Sequence, residues 1–441
     1  MKTQWLDDVD LLYPTLVEWR RDFHKYAESG WVEYRTAAKV AGLLSDWGYE
    51  VKAGKKVIHE HARMGVPPLA FLQEQEKRAL EQGADPKWVA RFQGGFTGVT
   101  GILETGRPGP TVAFRFDMDA LDLEESSNEQ HLPEATGFRS INAGMMHACG
   151  HDAHTTIGLG LARILMQLRE HLNGRVMLIF QPAEEGVRGA KSMVEAGVVD
   201  DVDLFFACHI GTGPSLGEVV CGANGFLSTT KLDVTYRGVA SHAGARPEEG
   251  KNALLAAAAA ALHLHGISRH SDGASRINVG VLTAGSGRNI IPDSATLKLE
   301  TRGETSTINA YMVEQAMNVI RGTAVMYGVD ETVLVQGGAQ SAEPSEALIP
   351  YIRNQAKQVP GVKRIIDLQS ALGSEDATFM MERVQQQGGL ASYLIFGTTL
   401  AAGHHHERFD IDEDVMKIAV KTLVHCALHT DQLTPILHAK P

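Results

Sequence analysis

The run TVAFRFDMD, residues 111–119, decides the fold: a nearly unbroken apolar stretch ends abruptly on two carboxylates. Hydrophobicity this continuous suits a strand buried on both faces, in a sheet sandwiched between helices. Three further runs repeat the pattern: VMLIF (176–180), DLFFACHI (203–210) and SYLIFG (392–397). Helical patterns lie between them. One starts at Asp152, a candidate cap, and carries Ile157, Leu161, Ile164, Leu165 and Leu168 at helical spacing before Asn173-Gly174. The alternation argues for an α/β domain.

Each of these strands ends in side chains capable of chemistry. TVAFRF runs into Asp117 and Asp119, VMLIFQPA into Glu184-Glu185, and DLFFAC into His209. SYLIFG is followed by His404-His405-His406-Glu407. In a parallel sheet the carboxyl ends of the strands share one edge, where ligands and catalytic groups collect. These segments should therefore meet there, joined by MHACGHDAH (146–154) from a nearby loop.

Length and composition frame the reading. A chain of 441 residues exceeds one ordinary core, so two or three domains are expected. With 44% hydrophobic and 21% charged residues it has the profile of a soluble globular protein. No apolar run is long enough to span a bilayer, and MKTQWLDDVDLLYP lacks the basic start and apolar core of a signal peptide. A cytoplasmic protein without a membrane partner is the expectation. The formal charge of −12, with no dense run of Lys and Arg, argues against a nucleic-acid partner. Cys149, Cys208, Cys221 and Cys426 are scattered, so no disulfide framework is expected.

Residues 226–337 read as a unit inserted into a catalytic domain made of 1–225 and 338–441. The order is strand, helix, strand, strand, helix, strand, which is the ferredoxin-like βαββαβ arrangement. Its first helix, NALLAAAAAALHLHGI, is rich in the strongest helix former. A second insertion, 54–96, is too long for an ordinary connection and holds two helical patterns; it is expected to be a lid or a contact surface.

MHACGHDAH admits three chemistries. A nucleophilic Cys149 would need a base and an orienting group, and it leaves the glutamates and distant histidines unexplained. A structural zinc site would want more local cysteines. A catalytic metal site uses thiolate, imidazole and carboxylate together and accounts for every strand end. Adjacent residues in extended chain point in opposite directions, so Glu184 and Glu185 should divide the work: one binds metal, the other is the general base.

Taken together, RFDMDAL, MHACGHDAH, IFQPAEEG, CHIG and GHHHERFDIDE resemble the aminoacylase/carboxypeptidase family of di-metal amidohydrolases, in the branch with indole-acetyl-amino-acid and hippurate hydrolases. The resemblance covers nearly the whole chain. It implies a mixed, mostly parallel sheet between helices (the di-metal peptidase fold), with 226–337 as a dimerisation or lid domain. It also implies two divalent ions, Mn or Zn, held by Cys149 as bridging ligand with His151, Glu185, His209 and His405, and Glu184 as base. Either neighbour of His405 could be the ligand instead. Asp117 and Asp119 would support the ligands. In GVASHAGARPEEGKNAL, His242 would reach the site of a partner copy and polarise the scissile carbonyl.

Asn289 and Arg302 would hold the substrate carboxylate, although Arg302 could instead pair with a carboxylate of its own unit. Gly373 would border the pocket. The implied activity is hydrolysis of the amide in N-acyl or N-aroyl amino acids, with p-aminobenzoyl-glutamate as the specific expectation and other N-acyl amino acids or dipeptides as alternatives. The implied assembly is a homodimer through the lid, or a heteromer in which the chain works only with a homologous partner.

Overall fold

The computed structural model describes residues 4–371 and 373–438. The chain forms two compact units, one of Met1–Asn224, Ala342–Ala371 and Asp376–Pro441, the other of Gly225–Ser341 and Leu372–Glu375. Six strands precede the second unit: β1 (Glu50–Ala53), β2 (Val99–Glu104), β3 (Thr111–Asp117), β4 (Arg175–Gln181), β5 (Leu204–Ile210) and β6 (Glu218–Asn224). The second unit contributes β7 (Ser228–Arg237), β8 (Ser241–His242), β9 (Ser275–Ala284), β10 (Ile290–Ile291), β11 (Ser294–Gly303) and β12 (Asp330–Ala339). The chain then returns to the first unit with β13 (Arg364–Ser370) and β14 (Leu390–Phe396).

In the first unit the strands lie in the order β1-β2-β4-β3-β5-β14-β6-β13. β4, β3, β5 and β14 run parallel at the centre, and they are the four apolar runs singled out in the sequence. β2 and β6 pair antiparallel to this block. The sheet is thus mixed and mostly parallel, as expected. β6 and β13 have no counterpart in the sequence reading. β13 is an edge strand with little burial and a charged residue, Asp367, in mid-run. The apolar run of β6 is interrupted by Gly222, where a Cβ would lie 2.6 Å from Ile349 Cδ1, so close packing there requires glycine.

Helix His151–Gln167 packs against the sheet through Gly158, and helices Gln4–Lys25 and Val415–Leu428 pack against it in turn. Its N-cap is Gly150 at φ 93°, not Asp152. Asp152 falls in the first turn because its Oδ2 is taken by Arg20 Nε at 2.8 Å and His24 Nδ1 at 2.9 Å. A long-range ion pair has displaced the local cap. The 54–96 segment holds helices Leu69–Glu81 and Pro86–Phe92, the second capped by Asp85, which accepts from Lys87 N at 2.8 Å. It docks on helix Tyr34–Asp46, with the Trp88 indole over Gly42, while Trp31 Nε1 donates to Met64 O at 2.8 Å.

The second unit is a four-stranded antiparallel sheet, β12-β7-β11-β9, with helices Ala253–His265 and Ser306–Tyr327. Ala253, Ala256, Ala257, Ala260 and Leu264 form one buried helical stripe against Leu232, Val234, Leu297 and Leu299. Alanine lets the helix approach closely, which explains the low-complexity run.

A Cβ on Gly158 would sit 2.6 Å from Phe116 Cδ2 and 2.7 Å from Phe180 Cε1, both buried ring atoms of the central strands. Gly158→Val should therefore destabilise the first unit by roughly 3 kcal/mol or more, since overpacking outweighs the small gain in helix propensity. Urea denaturation checks this; a midpoint unchanged from the parent protein would show that the helix can lift without cost.

Candidate active site

The register of the central strands brings their chemistry to one edge. Asp117 at the end of β3 stands opposite Gln181 at the end of β4, and Ile210 of β5 stands opposite Phe396 of β14. From β4 the chain turns through Ala183, at φ 53°, and Val187, at φ 60°, so that Glu184 and Glu185 lie on a strained turn. Both oxygens of Asp119 hold this turn: Oδ1 accepts from Glu184 N and Oδ2 from Glu185 N, each at 2.9 Å. Glu33 accepts from Ala183 N at 2.8 Å and from Thr97 Oγ1 at 2.6 Å.

His151 is buried in the first turn of its helix, and neither ring nitrogen has a hydrogen-bond partner. Its Nε2 faces Glu184 Oε2 at 3.9 Å and Glu185 Oε1 at 4.0 Å, while Nδ1 faces Asp119 Oδ1 at 3.5 Å. His209 donates Nδ1–H to Ile210 O at 2.8 Å, which leaves Nε2 as a lone-pair nitrogen 3.4 Å from Cys149 Sγ. His405 Nε2 lies 3.7 Å from Glu185 Oε1, an oxygen that is also buried without a hydrogen-bond partner. Donor atoms of Cys149, His151 and His209 cluster within ligand-sharing distance, as do those of Cys149, Glu185 and His405, and of His151, Glu184 and Glu185.

The three consecutive histidines differ in backbone and partners. His405 adopts φ 62° with its N–H on Ala148 O at 2.8 Å, and its ring, 56% exposed, lies beside Glu185. His404 Nε2 is bonded to Gly211 O at 3.1 Å, and His406 Nδ1 accepts from Arg408 N at 3.0 Å. His154 is close by but fully engaged, with Nδ1 on Asp117 at 2.6 Å and Nε2 accepting from Ile210 N at 3.1 Å. It packs and supports, although its distances alone would admit it as a ligand.

Electrostatics decide between thiol and metal chemistry. Burial, and then the charge of Glu185, push the Cys149 thiol up, so it has no tendency to ionise unaided. Burial, reinforced by Asp119 and Asp117 against the pull of His151, pushes Glu185 up to about 7. A nucleophilic cysteine needs the opposite environment. Thiol, carboxylate and imidazole lone pairs crowded around unpartnered atoms fit a divalent cation, whose charge would favour both thiolate and carboxylate.

The remaining predicted residues belong to the second unit. His242, on β8, pairs with Ile290 of β10, and its Nδ1 accepts from Gly244 N and Ala245 N at 3.1 and 3.0 Å. Nε2 therefore carries the proton. Asn289 is its neighbour, accepting Ala243 N at 3.0 Å through its carbonyl. Arg302 sits elsewhere: the register pairs Ser294 with Arg237 and Arg302 with Thr229, so eight strand residues, roughly 27 Å, separate the ends. Gly373 lies at the Arg302 end, its carbonyl accepting from Leu227 N at 2.9 Å. Arg302 is held by Glu300 through Nε at 2.9 Å and Nη2 at 3.3 Å, leaving Nη1 outside that pair.

Sequence reasoning missed three supporting groups. Arg20, fully buried, bonds Asp152 at 2.8 Å, Asp410 at 2.7 Å and Glu413 at 3.4 Å. His24 bridges Asp152 and Glu125, each at 2.9 Å. Glu33 is the third. A signal existed: Arg20 and His24 fall on the stripe of Leu16 and Phe23, where charge is out of place without a partner.

The sequence profile of Peptidase family M20/M25/M40 matches residues 113–429. Indole-3-acetyl-aspartic acid hydrolase of Enterobacter agglomerans is 57% identical over 419 residues, 95% of this chain and 96% of that one. A p-aminobenzoyl-glutamate hydrolase subunit of Escherichia coli K12 is 57% identical over 422 residues, 96% and 97% of the two chains. Among solved structures, aminobenzoyl-glutamate utilization protein from Klebsiella pneumoniae superposes with a TM-score of 0.85 at 51% identity, covering 96% of this chain and 97% of that one.

Burial opposes charge on His24, but Asp152 and Glu125 outweigh it and raise the imidazole from 6.5 to about 9. A raised histidine stabilises the fold fully below about pH 6.5 and loses that contribution as pH climbs through about 9. The stability gap between the parent protein and His24→Gln should therefore narrow over this range in urea titrations. A constant gap would mean that His24 is not charged in the fold.

Proposed function

This chain belongs to Peptidase family M20/M25/M40, and on that premise we propose that it is a metal-dependent amidohydrolase of N-aroyl and N-acyl amino acids. The observation that carries the reading is the meeting of Cys149, His151, Glu185, His209 and His405 around unpartnered donor atoms, with Glu184 alongside. The names of the two relatives at 57% identity share an aromatic acyl half and a dicarboxylic amino acid. We take p-aminobenzoyl-glutamate as the substrate and indole-acetyl-aspartate as the second candidate.

Cys149, His151, Glu185, His209 and His405 would hold two divalent ions, Mn²⁺ or Zn²⁺. When bound, the ions would polarise the amide carbonyl and acidify a water. Glu184, on the turn set by Asp119, would accept a proton from the attacking water as the water oxygen adds to the carbonyl carbon. It then returns the proton to the amine nitrogen as the C–N bond breaks, releasing the arenecarboxylate and the amino acid. Asp119, facing His151 Nδ1, keeps the ring's other nitrogen directed at the glutamates. His242 would donate from Nε2 to the developing oxyanion in the site of a second copy, with Asn289 beside it. Arg302 would offer Nη1 to a substrate carboxylate while Glu300 steadies the rest of the guanidinium.

The assembly in this reading is a dimer through the second unit. The word "subunit" in the Escherichia coli relative's name favours testing a heteromer with a homologous chain as well. All four cysteines are free, which supports a reducing, cytoplasmic setting. No helix among the described residues is long and apolar enough to cross a membrane.

The test is a substrate panel on protein reconstituted with Mn²⁺ or Zn²⁺. Release of p-aminobenzoate by the purified chain supports the reading; activity appearing only with a homologous chain replaces it with the heteromer. Glu184→Gln should lower kcat by about 10²- to 10⁴-fold with metal content unchanged. Loss of metal in this variant would mean that Glu184 and Glu185 exchange roles. Cys149→Ser should lower metal occupancy, read by elemental analysis, and not merely turnover.

A further inference from the structure

Sequence alone leaves the 54–96 segment as a lid or a contact surface. Its contacts tie it instead to the turn that carries the two glutamates. The segment is closed on itself: Gly54 N donates to Gly98 O at 3.1 Å, which joins its ends. Arg63 Nη1 donates to Gly94 O at 2.6 Å, and its guanidinium lies 3.7 Å from the centre of the Phe96 ring. Ile58, Met64, Leu72, Trp88, Phe92 and Phe96 are buried. Regions that open readily have few buried apolar contacts, so this segment is built to stay in place.

Side chains run from it to the glutamate turn. Arg188, half-buried, donates Nη1 to Gly65 O at 3.3 Å and Nε to Glu185 O at 2.8 Å. Trp31 fixes the neighbouring Met64 carbonyl through its indole N–H at 2.8 Å. Thr97, just past the segment, donates to one oxygen of Glu33, whose other oxygen accepts from Ala183 N. The Arg188 link is the direct one. Asp119 already accepts from Glu185 N, and Arg188 holds the carbonyl of the same residue, so both backbone groups of Glu185 are fixed. A planar guanidinium fork suits two acceptors at a set separation. The fold leaves room for it: a Cβ on Gly30 would lie 2.3 Å from Arg188 Nη2 and 3.0 Å from Ala183 Cα.

Resting on the reading of Glu185 as a metal ligand, we propose that Arg188 is a positioning residue of the metal site, through which the 54–96 segment sets where Glu185 stands. Charge alone predicts the opposite effect. A guanidinium beside a ligand residue repels a divalent ion, so removing it would tighten metal binding if charge were its whole contribution. Loss of positioning weakens binding. The two roles differ in sign.

The test titrates Zn²⁺ against a competing chelator in the full-length, metal-free protein. Arg188→Met keeps the apolar stem and removes both donors. It should weaken Zn²⁺ about tenfold or more while melting of the metal-free protein stays as in the parent. Arg188→Lys, which can still hold one carbonyl, should fall between Arg188→Met and the parent. Amide hydrogen exchange within 183–188, measured without metal, should quicken in Arg188→Met. Equal or tighter Zn²⁺ binding by Arg188→Met overturns the proposal. So does weaker binding that comes with lowered melting of the metal-free protein, or exchange that stays at the parent rate. A parent protein that binds neither Zn²⁺ nor Mn²⁺ overturns the metal reading and this inference with it. A parent that binds Zn²⁺ no better than Arg188→Met leaves the metal reading intact and sinks the inference alone.

Discussion

The site depends on one carboxylate. Asp119 leaves the end of β3 and spends its two oxygens on the consecutive amides of Glu184 and Glu185, at the end of β4. Consecutive N–H groups face one acceptor only where the chain turns or a helix begins. The turn that does so contains Ala183 and Val187 at positive φ, each costing about 1–3 kcal/mol relative to a relaxed backbone. Asp119 and Glu33 over-determine that turn, and the close approach of their buried carboxylates is visible in Glu33, which burial and Asp119 push up to about 8. The chemistry of the two glutamates thus rests on a strain that a third and a fourth acid hold in place.

A second constraint works from behind. Arg20 on the N-terminal helix reaches Asp152, next to His151, and Asp410, just beyond the triple-histidine loop. The segments of His151 and His405, distant in sequence, are registered against one guanidinium. Such a buried ion pair adds little net stability, because desolvation offsets the attraction, but removing one partner strands the others. Its value is geometric, since the fork of donors fixes where each segment sits.

How much of the molecule was legible in the sequence depended on physical range. The four central strands were readable because burial on both faces leaves an unbroken apolar signature. The convergence of Cys149, His151, Glu185, His209 and His405 was readable because parallel strands end on one edge. Arg20, His24 and Glu33 were not, because their buried partners lie far along the chain and no spacing rule connects them. Asp152 was misread as a cap for the same reason: local propensity yielded to Arg20. His404, His405 and His406 differ in contacts that composition does not announce, among them the left-handed φ of His405. In the second unit, the βαββαβ order was plain, and the distance between the Asn289 and Arg302 ends emerges only once the register is known.

The strand order carries a consequence for how the protein is made. β14 is the last strand in chain order, yet it lies between β5 and β6. Until Phe396 has emerged from the ribosome, β5 and β6 have unsatisfied edges with apolar faces, and the second unit has already been synthesised. A nascent chain stalled or clipped before β14 would expose a sticky half-sheet rather than a smaller stable domain. The segment from β14 onward therefore does two things at once: it closes the sheet and it brings His405 beside Glu185.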